Sequence, residues 1–541
     1  MRIDPISLEN QSELMKDYRN NKTKILDYFD YHPFQEATYQ NRIRDLQGRS
    51  FNRKQLAETL MMINREWDAP EATYKNINRL TDENSVVVIG GQQAGLLTGP
   101  MYTINKIISI IQLARQQEEK LSIPVIPVFW IAGEDHDFAE INHIFLPEIP
   151  RMKKYQLLQR MVSKMSVSAI EKDEVYANQW IDHIFEQLQE TQHTKQLYDT
   201  IKGCLDKSPT YVDFFARIIF QLFASEGVVL VDSAHAKLRE LESEYFINLI
   251  EKQPEISEGV YEYEQRLKQS GYPISLGTEP GDAHLFYHYK EERILLTRND
   301  TGEWVGKQNN VVLTTEQLVE IAKTQPELLS NNVVTRPLMQ ELLFPSLAFI
   351  GGPGEISYWS ALKPAFRALE IKMPPVMPRL SFTFVERNVE KLLNRYAIPS
   401  GHAVNNGVIQ ERGNWLAGQS NPPVKIMAQQ IRQSIEAVHK PLRDVARNIR
   451  ADLGGLADKN LSYLFRDIDY LEDRMTKALE EKYAKELSEF DCIHTALHPN
   501  NGLQERVWNP LPWINQYGSQ FIKELTEAPC SFANEHYLVY I

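Results

Sequence analysis

Glu134, Asp135, His136 and Asp137 stand together in the run GEDHD, directly behind the apolar stretch IPVIPVFWIA. An imidazole titrates near neutrality and neighbouring anions raise its pKa, so His136 or Asp137 can take a proton from a nucleophile. Glu134 and its neighbours can bind a polar substrate, or hold Mg²⁺ with phosphate oxygens completing the shell. The plain alternative is a capped, solvated acidic turn. A second apolar run, VVVI, leads into GGQQAGLLTGP. Glycines such as Gly91 and Gly95 let main-chain amides approach a ligand, and a following helix offers its positive end to an anion. Gln92 and Gln93 both donate and accept hydrogen bonds, and Gln93 is placed among the catalytic candidates. Thr98 either caps the helix or contacts an anion. The spacing fits neither the Walker A loop nor G-x-G-x-x-G.

A third turn of the same kind is FIGGPGEISYW. Gly351, Gly352 and Gly354 permit close approach, and Glu355, Tyr358 and Trp359 open a helix that can line the same crevice. Trp359 serves equally as core or as ligand platform. Lys164-Met165-Ser166 is a chance likeness to a synthetase signature, because it falls before the third strand instead of after the last.

These turns need elements to hold them. Strands are expected at 85–89, 123–132, 227–232 and near 377–382, and 347–359 reads as a strand, a glycine turn and then a helix. Between the first two, Ile104, Ile107, Ile108 and Ile111 have helical spacing, which makes a βαβ unit. Ligands of such sheets sit outside the carboxyl ends of the strands. Residues 1–80 read as helical, 150–220 as an inserted helical region, and 283–304 as an antiparallel hairpin or small sheet. In 424–490, Ile431, Ile435, Val438, Leu442, Val445 and Ile449 step by fours and threes. The pattern resumes at Leu461, Leu464, Ile468, Leu471, Met475 and Ala478. That is heptad spacing on two segments. A break is expected at Gly454-Gly455 and a kink at Pro441. An antiparallel helical arm used for dimerisation is the reading; packing on the protein's own core is the alternative.

The chain has 541 residues, 43% of them hydrophobic and 24% charged, ordinary for a soluble globular protein, and its length predicts two or three lobes. Its net charge of −13 argues against a nucleic-acid binder that works by bulk electrostatics. Cys204, Cys492 and Cys530 make no C-x-x-C pair, so neither a disulfide framework nor a zinc site is expected. No signal peptide or membrane span is visible, and a cytoplasmic location is expected.

GGQQAGLLTGP, WIAGEDHDFAEI, FIGGPGEISYW and LHPNNGLQERVWN, in this order around a helical arm, resemble the bacillithiol biosynthesis cysteine-adding enzyme family over essentially the whole chain. The resemblance implies a Rossmann-like parallel sheet core similar to class I aminoacyl-tRNA synthetases and nucleotidylyltransferases, with inserted connecting regions and a coiled-coil arm that pairs two subunits. It divides the chain into a core at 1–385 with insertions at about 150–220 and 255–330, a helical region at 386–496, and a segment at 497–541 that packs back on the core. The implied reaction joins L-cysteine to glucosaminyl malate. Making that amide requires activation of the cysteine carboxyl, so ATP or ADP is expected, with Mg²⁺ as companion. The H-x-G-H motif of the synthetases is absent. Arg506, Trp508 and Asn509, with Ser381, Phe384 and Arg387, form a second candidate nucleotide site, since arginine forks phosphate and an aromatic face stacks on adenine. A polar joint is the alternative there. Two other functions remain open: a nucleotidylyltransferase acting on a small metabolite, and a dimeric coiled-coil adaptor with a non-catalytic core.

Overall fold

The computed structural model describes residues 1–159, 165–290, 292–306 and 310–541. Lys164 of the Lys-Met-Ser run lies outside the described residues. Two compact units result: one of Met1–Leu146, Lys154–Thr383 and Glu505–Val539, the other of Pro147–Lys153, Phe384–Gln504 and Tyr540–Ile541.

The first unit is built on five parallel strands: β1 (Val86–Gln92), β2 (Val125–Ile131), β3 (Val229–Asp232), β4 (Ser346–Gly351) and β5 (Val376–Pro378), in the order β5-β4-β1-β2-β3. β2, β3 and β4 are buried at every position, as expected for strands covered on both faces. The chain runs β1, β2, β3 towards one edge, then returns to place β4 and β5 on the other side of β1. The order therefore reverses between β1 and β4, the point at which open α/β sheets form their ligand crevice.

Three helices matter to that crevice: α1 (Tyr102–Leu121) after β1, α2 (Thr335–Leu343) before β4, and α3 (Pro353–Trp359) after β4. α1 is buried almost all round, which goes beyond the one-sided stripe read from its isoleucines. The hairpin expected at 283–304 is part of a five-stranded antiparallel sheet, in which Leu329–Asn331 pairs with Asp282–Tyr289. The first eighty residues carry five helices and a strand, Arg2–Ile6, which shares a small sheet with His536–Tyr540. Val376–Pro378 closes the parallel sheet, whereas Phe382–Val385 belongs to that small sheet, so the strand expected at 377–382 is two strands.

The second unit is helical. α4 (Val424–Ile449) and α5 (Ala451–Lys482) make the long arm and α6 (Ala484–Leu497) follows. The turn between α4 and α5 falls at Arg450 (φ −167°, ψ 140°), and Gly454-Gly455 lie inside α5. Gly454 is needed there because a Cβ would meet Arg447 Cγ at 2.4 Å. The helix runs on through Pro441. Among the described residues no helix is long and apolar enough to cross a membrane.

Candidate active site

The turn after β1 is held by contacts to its main chain. A Cβ on Gly91 would sit 2.6 Å from Trp130 O, so only glycine allows β1 and β2 to pair to their ends here. Gly95 and Gly99 meet where the loop doubles back, with a Cβ on Gly95 only 2.7 Å from Gly99 Cα. Leu97, Thr98 and Gly99 all have positive φ (48°, 74° and 69°). Asn509 Nδ2 pins this strained turn by donating to Leu97 O at 2.9 Å and Gly99 O at 2.7 Å. Thr98 is buried without a hydroxyl partner, and α1 takes Met101 as its N-cap, which corrects the capping role expected of Thr98.

From the second turn of α1, Lys106 reaches back to the end of β1. Its ammonium donates to Gly91 O at 2.6 Å, to Gln92 Oε1 at 3.2 Å and to Glu355. Glu355 also accepts from Gly352 N at 2.8 Å, closing the first turn of α3. Lys106 is 1% exposed, and burial lowers its pKa although Glu355 opposes the shift. One buried cation thus ties the β1 turn to the β4 turn at the reversal of strand order.

GEDHD divides into inward and outward residues. Glu134 turns in, accepting from Arg239 and from Asn331 N at 3.1 Å. Arg239 also donates to Glu242 at 2.6 Å, and burial pushes Glu242 up to about 7. Glu134 is therefore a structural pin, which corrects its expected role as a substrate contact. Asp135 accepts from Gln93 Nε2 at 2.6 Å, and Gln93 donates again to Glu140 at 2.7 Å, linking the β1 and β2 turns. His136 Nδ1 lies 3.3 Å from Arg293 Nη1. A guanidinium only donates, so Nδ1 is the acceptor and the ring proton sits on Nε2. Arg293 lies over the Phe286 ring at 3.7 Å and reaches Asn331 O at 2.6 Å. Asp137 is exposed at the start of a four-residue helix. Gly133 is tightly enclosed: a Cβ would fall 2.0 Å from Ser168 Oγ and 2.2 Å from Asp232 Oδ1, two groups that are hydrogen-bonded at 2.8 Å.

Tyr358 extends the β4 side, accepting from Arg336 on α2. Trp359 is buried and stacks on Phe349 at 4.3 Å, so its faces belong to the core and the ligand platform is corrected. In the second candidate group, Ser381 Oγ meets His536 Nδ1 at 2.7 Å, Trp508 stacks on Trp513 at 4.9 Å, and Asn509 holds the β1 turn. Arg506 is exposed. Phe384 and Arg387 belong to the helical unit, where Phe384 N donates to Gln504 Oε1 at 2.7 Å and Arg387 is exposed at a helix start. Ser381, Trp508 and Asn509 are thus engaged within the first unit.

Sequence reading missed Lys106, Arg239, Arg293, Asn331, Arg336, and the buried Arg379–Glu505 pair at 2.6 Å. The available signal was weak: Lys106 is the one charged residue between Tyr102 and Ala114. Among the described residues no group of three or more His, Cys, Asp or Glu side chains converges as a metal site would require.

Two family models cover the chain: "Bacillithiol biosynthesis BshC, N-terminal Rossmann-like domain" over residues 1–380 and "Bacillithiol biosynthesis BshC, C-terminal coiled-coil domain" over 382–541. Curated proteins named "Putative cysteine ligase BshC" are similar along their full length. One from Oceanobacillus iheyensis is 42% identical over 545 residues, one from Geobacillus sp. 42% over 542, and one from Bacillus cereus 41% over 539, with 100% of each chain covered. Full coverage at this identity, together with a Rossmann-like sheet and a helical arm in the same order, establishes that the chain belongs to the bacillithiol biosynthesis BshC family.

Proposed function

We propose that this protein is a ligase that joins the carboxyl of L-cysteine to the amine of glucosaminyl malate, forming a carbon–nitrogen bond. The reading rests on one observation above all. Three polar glycine turns meet at the carboxyl edge of a parallel sheet, at its reversal point, in a chain whose full-length relatives are named cysteine ligases. An adaptor would have no use for buried charges at three strand ends, each costly unless paired.

Free acid and amine do not condense in water, so the carboxyl must be activated. ATP or ADP, with Mg²⁺, is proposed for this, and its chemistry would be to place a good leaving group on the cysteine carboxyl. The internal engagement of Ser381, Trp508 and Asn509 argues against those three as its holders, so no step is assigned through the nucleotide. The protein's own residues do the following. Lys106 ties the turns at Gly91–Gln92 and at Gly352–Glu355 together. Gln93 and Asp135 hold the β1 and β2 turns in register. Asp137, exposed at the rim, accepts the proton lost by the attacking amine. His136, with Nδ1 facing Arg293, presents Nε2–H as a donor, a reassignment from base to hydrogen-bond donor.

Two copies are proposed to pair through the arm, because its apolar row is exposed, and a cytoplasmic location is proposed with it. The deciding experiment mixes purified protein, glucosaminyl malate, L-cysteine and each nucleoside triphosphate, with mass detection of the thiol product. Product formation with one nucleotide supports the ligase. Pyrophosphate release that ignores cysteine would favour a nucleotidylyltransferase instead. His136→Ala at full rate would remove His136 from the chemistry.

A further inference from the structure

Among the described residues, the other cations of the crevice have carboxylates close by. Arg239 has Glu134 and Glu242, Lys106 has Glu355, Arg379 has Glu505, and Arg293 lies 3.7 Å from Asp135. Arg336 has none. Its one side-chain hydrogen bond among the described residues goes to the neutral hydroxyl of Tyr358, and its Nε–H is closed off from solvent with no acceptor. Arg336 sits in the first turn of α2, directly after the strand that ends at Asn331. Asn331 is 1% exposed, and neither its amide nitrogen nor its amide oxygen has a partner.

The position of Arg336 follows from its neighbours. The charges of Glu355, after β4, and Glu134, after β2, both act on it, and its own charge acts on Lys106. Its hydrogen bond to Tyr358 on α3 places it beside the turn after β4. Burial pulls its pKa down, but Tyr358 and the two carboxylates more than offset this, so the guanidinium stays charged. A desolvated guanidinium with no anion hydrogen-bonded to it is costly, and its planar fork matches a carboxylate.

We propose that Arg336 is the binding residue for a substrate carboxylate in this crevice, with the unpaired Asn331 amide as a second polar contact. The inference rests on the ligase reading only for the identity of that carboxylate. L-cysteine and the malate moiety both carry the chemistry.

The test titrates the full-length protein with L-malate and with L-cysteine separately by calorimetry, for wild type, Arg336→Gln, Arg336→Lys and Tyr358→Phe. The expected result is that one ligand loses at least about tenfold in affinity in Arg336→Gln, as for a lost charge-assisted pair. The loss should be partial in Arg336→Lys, which keeps the charge without the fork, and smaller in Tyr358→Phe. In steady-state synthesis the KM of the same substrate should rise with kcat little changed, while the KM of the other substrate stays put. Loss confined to malate assigns the malate moiety; loss confined to cysteine assigns cysteine. Wild type that binds neither ligand, or Arg336→Gln and Arg336→Lys that bind both as wild type does, overturns the proposal. Failure of the ligase reading gives a different pattern: no thiol product from any variant, with Arg336-dependent carboxylate binding intact.

Discussion

The sheet unit and the helical arm treat charge and apolar surface in opposite ways. At the sheet's carboxyl edge, cations and carboxylates are buried together while the strands around them are apolar. In the arm, the seam between α4 and α5 carries ion pairs: Arg432 reaches Glu472 at 2.9 Å and Arg447 reaches Asp458 at 2.7 Å, with His439 meeting Asn460 at 3.0 Å. The apolar row faces out, with Val438 80% and Ile449 70% exposed, beside Leu442, Val445, Tyr470 and Leu471. Buried charge in the core persists there because each ion is paired, and such clusters are candidates for handling polar ligands. Exposed apolar rows on a helix hairpin mark a surface that another chain can cover. The same residue types therefore carry opposite meanings in the two units.

The comparison breaks most sharply if the buried pairs turn out to be dispensable. Glu505→Gln leaves Arg379 buried without its anion and should cost about 3–5 kcal/mol, read by denaturant unfolding. The same variant tests pH dependence. Burial would raise the Glu505 carboxyl, but Arg379 holds it down at about 2, against 4.5 unperturbed. A depressed carboxylate contributes stability above its unfolded value and loses it as pH falls through the folded one. Wild type should therefore lose about 3 kcal/mol between pH 4.5 and 2, and Glu505→Gln should lack that segment. Lys106→Met strands Glu355 and loosens both turns it ties. It should lower kcat/KM by about a hundredfold, with a smaller loss of thermal stability, since Glu355 is partly open to water.

On the arm, Val438→Glu with Leu442→Glu should halve the mass in sedimentation equilibrium while leaving the sheet unit's unfolding unchanged. A dimer that survives would place the apolar row outside the interface. The smallest effect is expected from Arg447→Ala. Its partner Asp458 is solvent-exposed, so Tm should move by less than about 2 °C.

Much of the core was legible. Continuous apolar runs bounded by glycine located β1, β2, β3 and β4, because a strand buried on both faces has no polar alternation to hide it. The heptad steps located both arm helices, but the turn was placed at Gly454-Gly455 instead of Arg450. Glycine was read there as a breaker, when its lack of a side chain admits Arg447 across the hairpin. The candidate site was half legible. Gln92, Gln93, Asp135, His136 and Glu355 stand out as polar residues behind apolar strands. Glu134 and Trp359 share those motifs yet point into the protein, and spacing alone does not say which way a turn residue faces.

The sequence by itself determined the kind of sheet, the existence of three glycine turns, the two-helix arm and the family, all of which depend on local pattern or on matches along the chain. Only the tertiary structure decided which charges meet. Lys106 lies 249 positions from Glu355, Arg239 lies 105 from Glu134, and Arg379 lies 126 from Glu505. These are pairings across separate elements, chosen by the desolvation of each charge once the sheet has closed, and no local periodicity encodes them.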